Sequence, residues 1–362
     1  MKNTLGNVLT VTLFGESHGA AIGAVIDGIA AGIPVSEEFI CEQLSKRRPK
    51  GNISTPRREA DSFKILSGVF EGKTTGTPIA VMIENSDTHS SDYGEMKNKM
   101  RPSHADYTAQ VKYGGNQDFR GGGHFSGRIT AAIVAAGALI IPALNKKGIF
   151  IGTHIKNIAG VEDRSFEGIN DLKNLEGKDF AVLNDDIKAL MTDKIEAARK
   201  DGNSVGGILE TVVYGMPAGI GEPWFDTLEG ELSKALFSIP AVKGVQFGLG
   251  FEFANTTGAD ANDQMQMENG KVVTATNNNG GILGGISNGM PIVFSTVIKP
   301  TPTISREQKT VDISTMSDTL LAARGRHDPC IVHRAAVVAD SVTAIVLADM
   351  LSVKYGTDWL GE

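Results

Sequence analysis

The sequence predicts an α+β fold, a single domain with helices held between β-sheets, on three observations. The run GRITAAIVAAGALIIPAL (127–144) and the stretch 335–354 are apolar on every side, so each reads as a helix with no face left for water. Short runs rich in Val, Ile and Thr lie on either side of them and fit strands bounded by turn residues. Each buried helix also follows a loop rich in Gly, Arg and His, which hints at two similar halves packing helices on sheets, although no repeat period supports duplication.

In chain order, residues 7–14 read as a strand stopped by Gly15 and 21–29 as a second strand, with GESHG as the turn between them. Ser36 is placed to cap a helix reaching about Lys46. Glu37 and Glu38 then occupy its first turn, where the helix dipole favours acids, and Lys46, Arg47 and Arg48 its basic end before Pro49. Residues 50–60 and 85–101 read as projecting polar loops around a short strand at 79–84. Pro142 is expected to kink or end the first buried helix. Residues 160–203 are charged and polar, and DDIKALMTDKIEAARKDG within them is an amphipathic helix closed by Gly202, so this stretch reads as a peripheral helical insertion. Strands at 207–214, 245–253 and 292–298, a helix at 225–237 and a glycine-rich loop at 277–289 lead to the last buried helix. No composition break marks a linker, so residues 1–362 read as one domain.

Composition excludes several classes. With 41% apolar and 21% charged residues the chain matches ordinary globular usage. Cys41 and Cys330 are isolated and form no CxxC pair, which suits a reducing compartment. The N-terminal residues lack the continuous apolar core of a signal peptide, and no window of 18 residues is apolar without a charge, so a cytoplasmic protein without a membrane partner is expected. A net charge of −7 speaks against nucleic acid as a partner.

The residues that could carry chemistry gather at turns. Arg47, Arg48, Arg57, Arg58, Arg101, Arg120, Arg128, Arg326 and Arg334 can fork onto anions, and Ser126 before Arg128 would open a buried helix whose N-terminal amides also hold an anion. His18, His104, His124, His327 and His333 are candidate proton donors and acceptors, and four of them stand next to Gly or Arg. His327, Cys330 and His333 lack the paired spacing of a metal site, and Pro329 restricts their loop, so no metal is expected. Glycines at 114–115, 121–123, 280–281 and 284–285 let backbone approach a flat or phosphorylated ligand, but neither GxGxxG nor the Walker lysine motif is present. The run Lys299-Pro300-Thr301-Pro302-Thr303 is either a phosphate grip or a proline turn. The residues alone indicate an enzyme or binder for an anionic, phosphorylated small molecule, with the histidines as acid or base and Asp328 as a candidate base.

Along almost its whole length the chain resembles chorismate synthase. The resemblance is carried by GESHGAAIGAVIDG (15–28), KRRP (46–49), RREAD (57–61), RPSHADYT (101–108), FRGGGHFSGRITAAIVAAGA (119–138), AVKGVQFG (241–248), NNGGILGGISNG (278–289), KPT (299–301) and GRHDPC (325–330). It implies mainly antiparallel sheets and the last step of the shikimate pathway to aromatic amino acids. In that step 5-enolpyruvylshikimate 3-phosphate loses its phosphate and the proton of ring carbon 6 by anti-1,4-elimination, requiring reduced FMN without net redox. By position, His18 resembles the histidine that assists the leaving phosphate and His104 the one that supports reduced flavin. Asp328 resembles the carboxylate that helps the flavin's central nitrogen take the substrate proton. Ser17, His18, Arg47, Arg57, Arg128 and Arg326 fall where the family binds substrate. FMN contacts are implied for Arg47, His104, His124, Phe125, Ser126, Pro240, Ala241, Gly284, Lys299, Pro300, Thr301, Pro302, Thr303 and Arg326. The resemblance also implies a homotetramer, and the flavin is expected to be reduced by an outside source, with NADPH the candidate ultimate reductant.

The sequence departs from the family pattern at Ala30 and His333, where proline is usual, at Asp340 for glutamate, at Asn52 for a common arginine, and at His124 and Phe125 before Ser126. These departures bear on flavin affinity. Two rival readings are a phosphometabolite or flavin binder without catalysis, and a flavin reductase. His18, His104 and Asp328 together favour the lyase, and nothing resembles a dedicated reductase domain.

Overall fold

Two antiparallel sheets of five strands each face one another across a pair of long buried helices. The structure is a computed structural model and describes residues 2–51, 53–55, 60–86, 97–322 and 327–362.

The first half supplies β1 (Thr4–Leu5), β2 (Thr10–Gly15), β3 (Ala21–Asp27), β4 (Phe63–Ser67), the small hairpin of β5 (Val69–Phe70) and β6 (Lys73–Thr74), and β7 (Ile79–Glu84). Its sheet runs β1-β2-β3-β7-β4. Side chains on a strand alternate between faces, and in β7 Ile79, Val81 and Ile83 are wholly buried while Ala80 and Met82 are partly open. Its helices are α1 (Glu37–Arg47), α2 (Asp106–Tyr113) and α3 (Thr130–Lys146). The Ser36 hydroxyl accepts from the Phe39 amide at 3.1 Å, the expected cap of α1.

The second half adds β8 (Phe150–Ile158), β9 (Val161–Glu162), α4 (Asn170–Leu175), α5 (Asp185–Lys200), β10 (Gly207–Tyr214), α6 (Leu228–Leu236), β11 (Val242–Phe247) and α7 (Gly258–Ala261). It continues with the hairpins β12 (Met265–Glu268)/β13 (Lys271–Thr274) and β14 (Ile282–Leu283)/β15 (Ile286–Ser287), then β16 (Ile292–Ile298), β17 (Gln308–Asp312)/β18 (Ser317–Leu321) and α8 (Val332–Tyr355). The second sheet runs β11-β16-β10-β8-β9.

Helix α3 packs on β3 and β7, α8 packs on β8 and β10, and the two helices pack on each other. Their closest approach is at Gly137, where an added Cβ would stand 2.4 Å from the Cβ of Ser341, so only a glycine permits this crossing. The far face of the second sheet is covered by the 160–203 stretch. Gly152 of β8 lies against Leu172 of α4, whereas its neighbour Thr153 bonds toward Asp340 of α8. At the other end of α8, the buried Asp349 carboxylate accepts the backbone amides of Asn7, Val8 and Leu9 at 2.9, 2.7 and 2.9 Å, tying that helix to the turn before β2.

Several expectations need correction. Pro142 does not end α3, which runs to Lys146, because the packing of a helix buried along nearly its whole length outweighs a proline penalty of about 3 kcal/mol. The strand expected at 245–253 is Val242–Phe247, followed by a 3-10 turn at Gly250–Asn255. The glycine-rich loop 277–289 contains the β14/β15 hairpin. The polar loop expected at 85–101 falls largely on residues 87–96, outside the described residues, and the loop at 50–60 is described only at 50, 51, 53–55 and 60. Helical segments Gly127–Lys146 and Val332–Tyr355 are long and apolar enough to cross a membrane, but 89% and 83% of their apolar windows are buried inside the fold.

Candidate active site

The first turns of both central helices open onto one cavity of about 940 Å³. Sites for small molecules span roughly 300–1,000 Å³, so this one is at the large end. Part of it is apolar, formed by Ile129 just before α3, Ile133 of α3, Val338, Val342 and Ile345 of α8, and Leu13 of β2. The rest of the lining includes Arg47, Arg101, Arg128, Lys243, Lys299 and Arg334, with Asp328 the one carboxylate in it among the described residues. A chain of net charge −7 thus concentrates positive charge where two helix N-termini also point.

The arginines are held by a buried acid. Asp61 accepts Arg47 Nη2 at 3.1 Å on one oxygen and Arg128 Nη1 on the other, with Arg48 Nε 3.7 Å away. Arg128 also donates to Asn85 Oδ1 at 3.0 Å and to the carbonyl of Glu84 at 3.2 Å. Burial alone would raise the Asp61 carboxyl, but the charges and hydrogen bonds of Arg47 and Arg128 overcome it and hold the group below its usual range. The fork of Arg128 is therefore fixed before any ligand arrives.

Histidines line or back the same wall. His104 Nδ1 donates to Asp106 Oδ1 at 2.7 Å, and Arg101 grips the same carboxylate with Nε and Nη2, both at 2.7 Å. Burial again pushes Asp106 up, and the bonds from Arg101 and His104 drive it well below the carboxylate range. His124 Nδ1 donates to the Gly15 carbonyl at 2.7 Å, which fixes its tautomer. Ser17 and His18 lie one layer behind, with Ser17 Oγ 3.1 Å from His18 Nδ1 and 3.2 Å from the carbonyl of Arg120. Gly121, part of the cavity lining, has φ +59° and packs flat on the imidazole; a Cβ there would stand 2.3 Å from His18 Cε1.

Asp328 is held from both sides. Its Oδ1 accepts the Thr55 amide at 2.8 Å, its Oδ2 accepts Arg334 Nη1 at 2.6 Å, and its carbonyl accepts the Thr301 hydroxyl at 2.7 Å. Arg334 Nε also donates to the Arg47 carbonyl at 2.7 Å, joining the two charged groups. Across the cavity Lys299 Nζ donates to the Ser103 carbonyl at 2.7 Å and its amide to Ala241, a residue at φ +74°. Burial, and then the charge of Lys243, push the Lys299 amine below its ordinary value, so this pair gains by meeting an anion.

Of the residues singled out in the sequence, Arg47, His104, His124, Phe125, Ser126, Arg128, Pro240, Ala241, Lys299, Thr301, Pro302, Thr303 and Asp328 line this one cavity. Pro300 is between two lining residues, and Gly284 sits in the β14/β15 turn, apart from the cavity. Arg57 and Arg326 lie outside the described residues, as does Asn52. His333 is buried behind Asp328 and bonds to Ser54. Sequence reasoning passed over Asp61 and Asp106, because an acid beside basic residues reads as an ordinary surface charge until the fold buries it, and over Thr55 and Asn85, whose bonds to Asp328 and Arg128 form only across the fold. The signal present was proximity alone, in RREAD and in His104-x-Asp106.

A family model described as chorismate synthase matches residues 9–352. A chorismate synthase of Methanosarcina mazei is 48% identical over 348 residues, covering 96% of this chain and 95% of that protein. One from Pyrococcus abyssi is 49% identical over 346 residues, covering 96% of each. A crystal structure of a chorismate synthase superposes with a TM-score of 0.77 at 33% identity, covering 98% of this chain and 94% of the other.

Proposed function

Because this chain belongs to the chorismate synthase family of lyases, we propose that it converts 5-enolpyruvylshikimate 3-phosphate to chorismate by anti-1,4-elimination, with reduced FMN bound in the same cavity. The observation that carries this reading is a cavity at the N-termini of α3 and α8 lined by apolar side chains, by arginines and lysines, and by Asp328. The residues present fit a flavin. The apolar stripe of Val338, Val342 and Ile345 opposite Ile133 suits a flat ring system, and Lys243, Lys299 and the hydroxyls of Thr301 and Thr303 suit its phosphate tail. When bound, reduced FMN supplies transient electron density to the substrate with no net redox change.

The chain's own residues meet two demands. As the bond from ring carbon 3 to the phosphate oxygen breaks, charge builds on the leaving group; Arg47, Arg128 and the amides opening α3 are prearranged to take it, and His18 is set behind Gly121 to share a proton. The electron pair of the carbon 6 C–H bond becomes part of a new ring double bond, and the proton leaves at the Asp328 end of the cavity. Each Asp328 oxygen accepts one hydrogen bond and keeps a lone pair for it. His104, with Nδ1 committed to Asp106, presents the rest of its ring beside Gly122, 3.5 Å from where a Cβ would be.

That orientation gives a prediction. Asp106→Asn is expected to lower turnover about tenfold or more by loosening His104, in the range seen when a histidine loses its orienting carboxylate; unchanged kcat and unchanged FMN affinity would show that His104 needs no such support. The same reading includes a cytoplasmic homotetramer, supported by Trp224, Phe225 and Phe251, which are 85%, 92% and 80% exposed on one chain. The function itself is tested by product stoichiometry under anaerobic conditions. One phosphate released per chorismate, with no NADPH oxidised by the purified chain, is expected; NADPH consumption matching turnover would instead make it a reductase.

A further inference from the structure

His333 and Arg334 are neighbours in the first turn of α8, yet they reach Asp328 by different routes. Arg334 Nη1 bonds Oδ2 directly at 2.6 Å. His333 reaches the other oxygen through the 53–55 segment: its Nε2 is 2.8 Å from Ser54 Oγ, and the next residue, Thr55, donates its amide to Oδ1 at 2.8 Å. Ser54, Thr55 and His333 are all buried, and the segment they hold belongs to no helix or strand. The imidazole is itself fixed, stacked on Phe180 with ring centres 5.9 Å apart and planes 21° from parallel. It is also carried by a 24-residue helix packed in the centre of the molecule.

We propose that the Ser54–His333 hydrogen bond is a positioning device, which sets where the Thr55 amide meets Asp328 and so how that carboxylate faces the cavity. The inference rests on the role given to Asp328 above. Burial, helped by the charge of Arg334, pushes the imidazole down to about 4, so the ring stays neutral at pH 7 and the bond is constant through the working range. Two adjacent residues of one rigid helix thereby hold both oxygens of one carboxylate, one by charge and one by the placement of a loop amide.

The test compares four single and two double variants under saturating substrate and reduced FMN. His333→Phe keeps a ring against Phe180 but removes the bond; kcat is expected to fall about tenfold while KM and FMN affinity stay within about twofold, as for a misplaced group and not a lost binding contact. His333→Gln, which can still bond Ser54, is expected to recover most of the loss. Ser54→Ala should reproduce His333→Phe, and the double variant should be no slower than either. Asp328→Asn is the reference, with an expected fall of about 10²-fold, and His333→Phe should add nothing in that background. If Asp328→Asn is slow but Ser54→Ala and His333→Phe turn over normally, the positioning inference is overturned and the role of Asp328 stands. If Asp328→Asn itself turns over normally, the role of Asp328 fails. Should His333→Phe not fold, the smaller change Ser54→Ala decides, and a normal kcat there overturns the inference.

Discussion

His18→Ala is expected to lower turnover by about 10²-fold or more, the usual size of a general acid contribution, with the fold and flavin binding retained. The imidazole is buried against Gly121. Ser17 Oγ donates to the Arg120 carbonyl at 3.2 Å and stands 3.1 Å from His18 Nδ1, which holds one edge of the ring. The charge of His18 also interacts favourably with the Asp118 carboxylate, whose low pKa owes most to the hydrogen bond from Arg120. A residue so enclosed adds little to substrate affinity, so the loss should appear in kcat with KM almost unmoved. Turnover within a few-fold of the parent would remove His18 from proton transfer to the phosphate.

The second large effect is on stability. Asp61→Ala is expected to cost about 3–5 kcal/mol, because it removes the buried carboxylate that pairs with both Arg47 and Arg128. The pH dependence separates this from simple loss of packing. The folded pKa of Asp61 lies below its unfolded value, near 3.8, so its contribution is complete above that value and is lost as pH falls toward and through the folded one. The gap in Tm between the parent and Asp61→Asn should therefore be constant from pH 7 down to about 5 and shrink below about 4. A gap that stays constant down to pH 3 would show that the carboxylate charge is not what stabilises this wall.

Much of this arrangement was legible in the sequence, for identifiable reasons. The two central helices announce themselves because helices apolar on all sides can only be buried, and the caps and basic end of α1 follow local rules. Strand β8 was missed because it follows α3 within a few residues and carries His154 and Lys156, whose polar groups are satisfied only across the sheet and its cover. His154 Nε2 bonds Glu210 at 3.0 Å, and Lys156 Nζ bonds the Asp163 carbonyl at 2.6 Å. The site shows the same division. Cations and histidines beside turns could be picked out as residue types, whereas the acids that orient them act across the fold, as Asp61 does from 67 residues before Arg128. Thr55 could not be found from sequence at all, since its part is played by a backbone amide.

The central claim is that this cavity performs a flavin-dependent elimination with no net redox. It is tested most directly by anaerobic incubation of the purified chain with 5-enolpyruvylshikimate 3-phosphate and either chemically reduced or oxidised FMN, following chorismate absorbance. Chorismate formed with reduced flavin only, at many turnovers per flavin, is the predicted result. Equal rates with both flavin forms, or no product from folded protein that binds flavin and substrate, would contradict it.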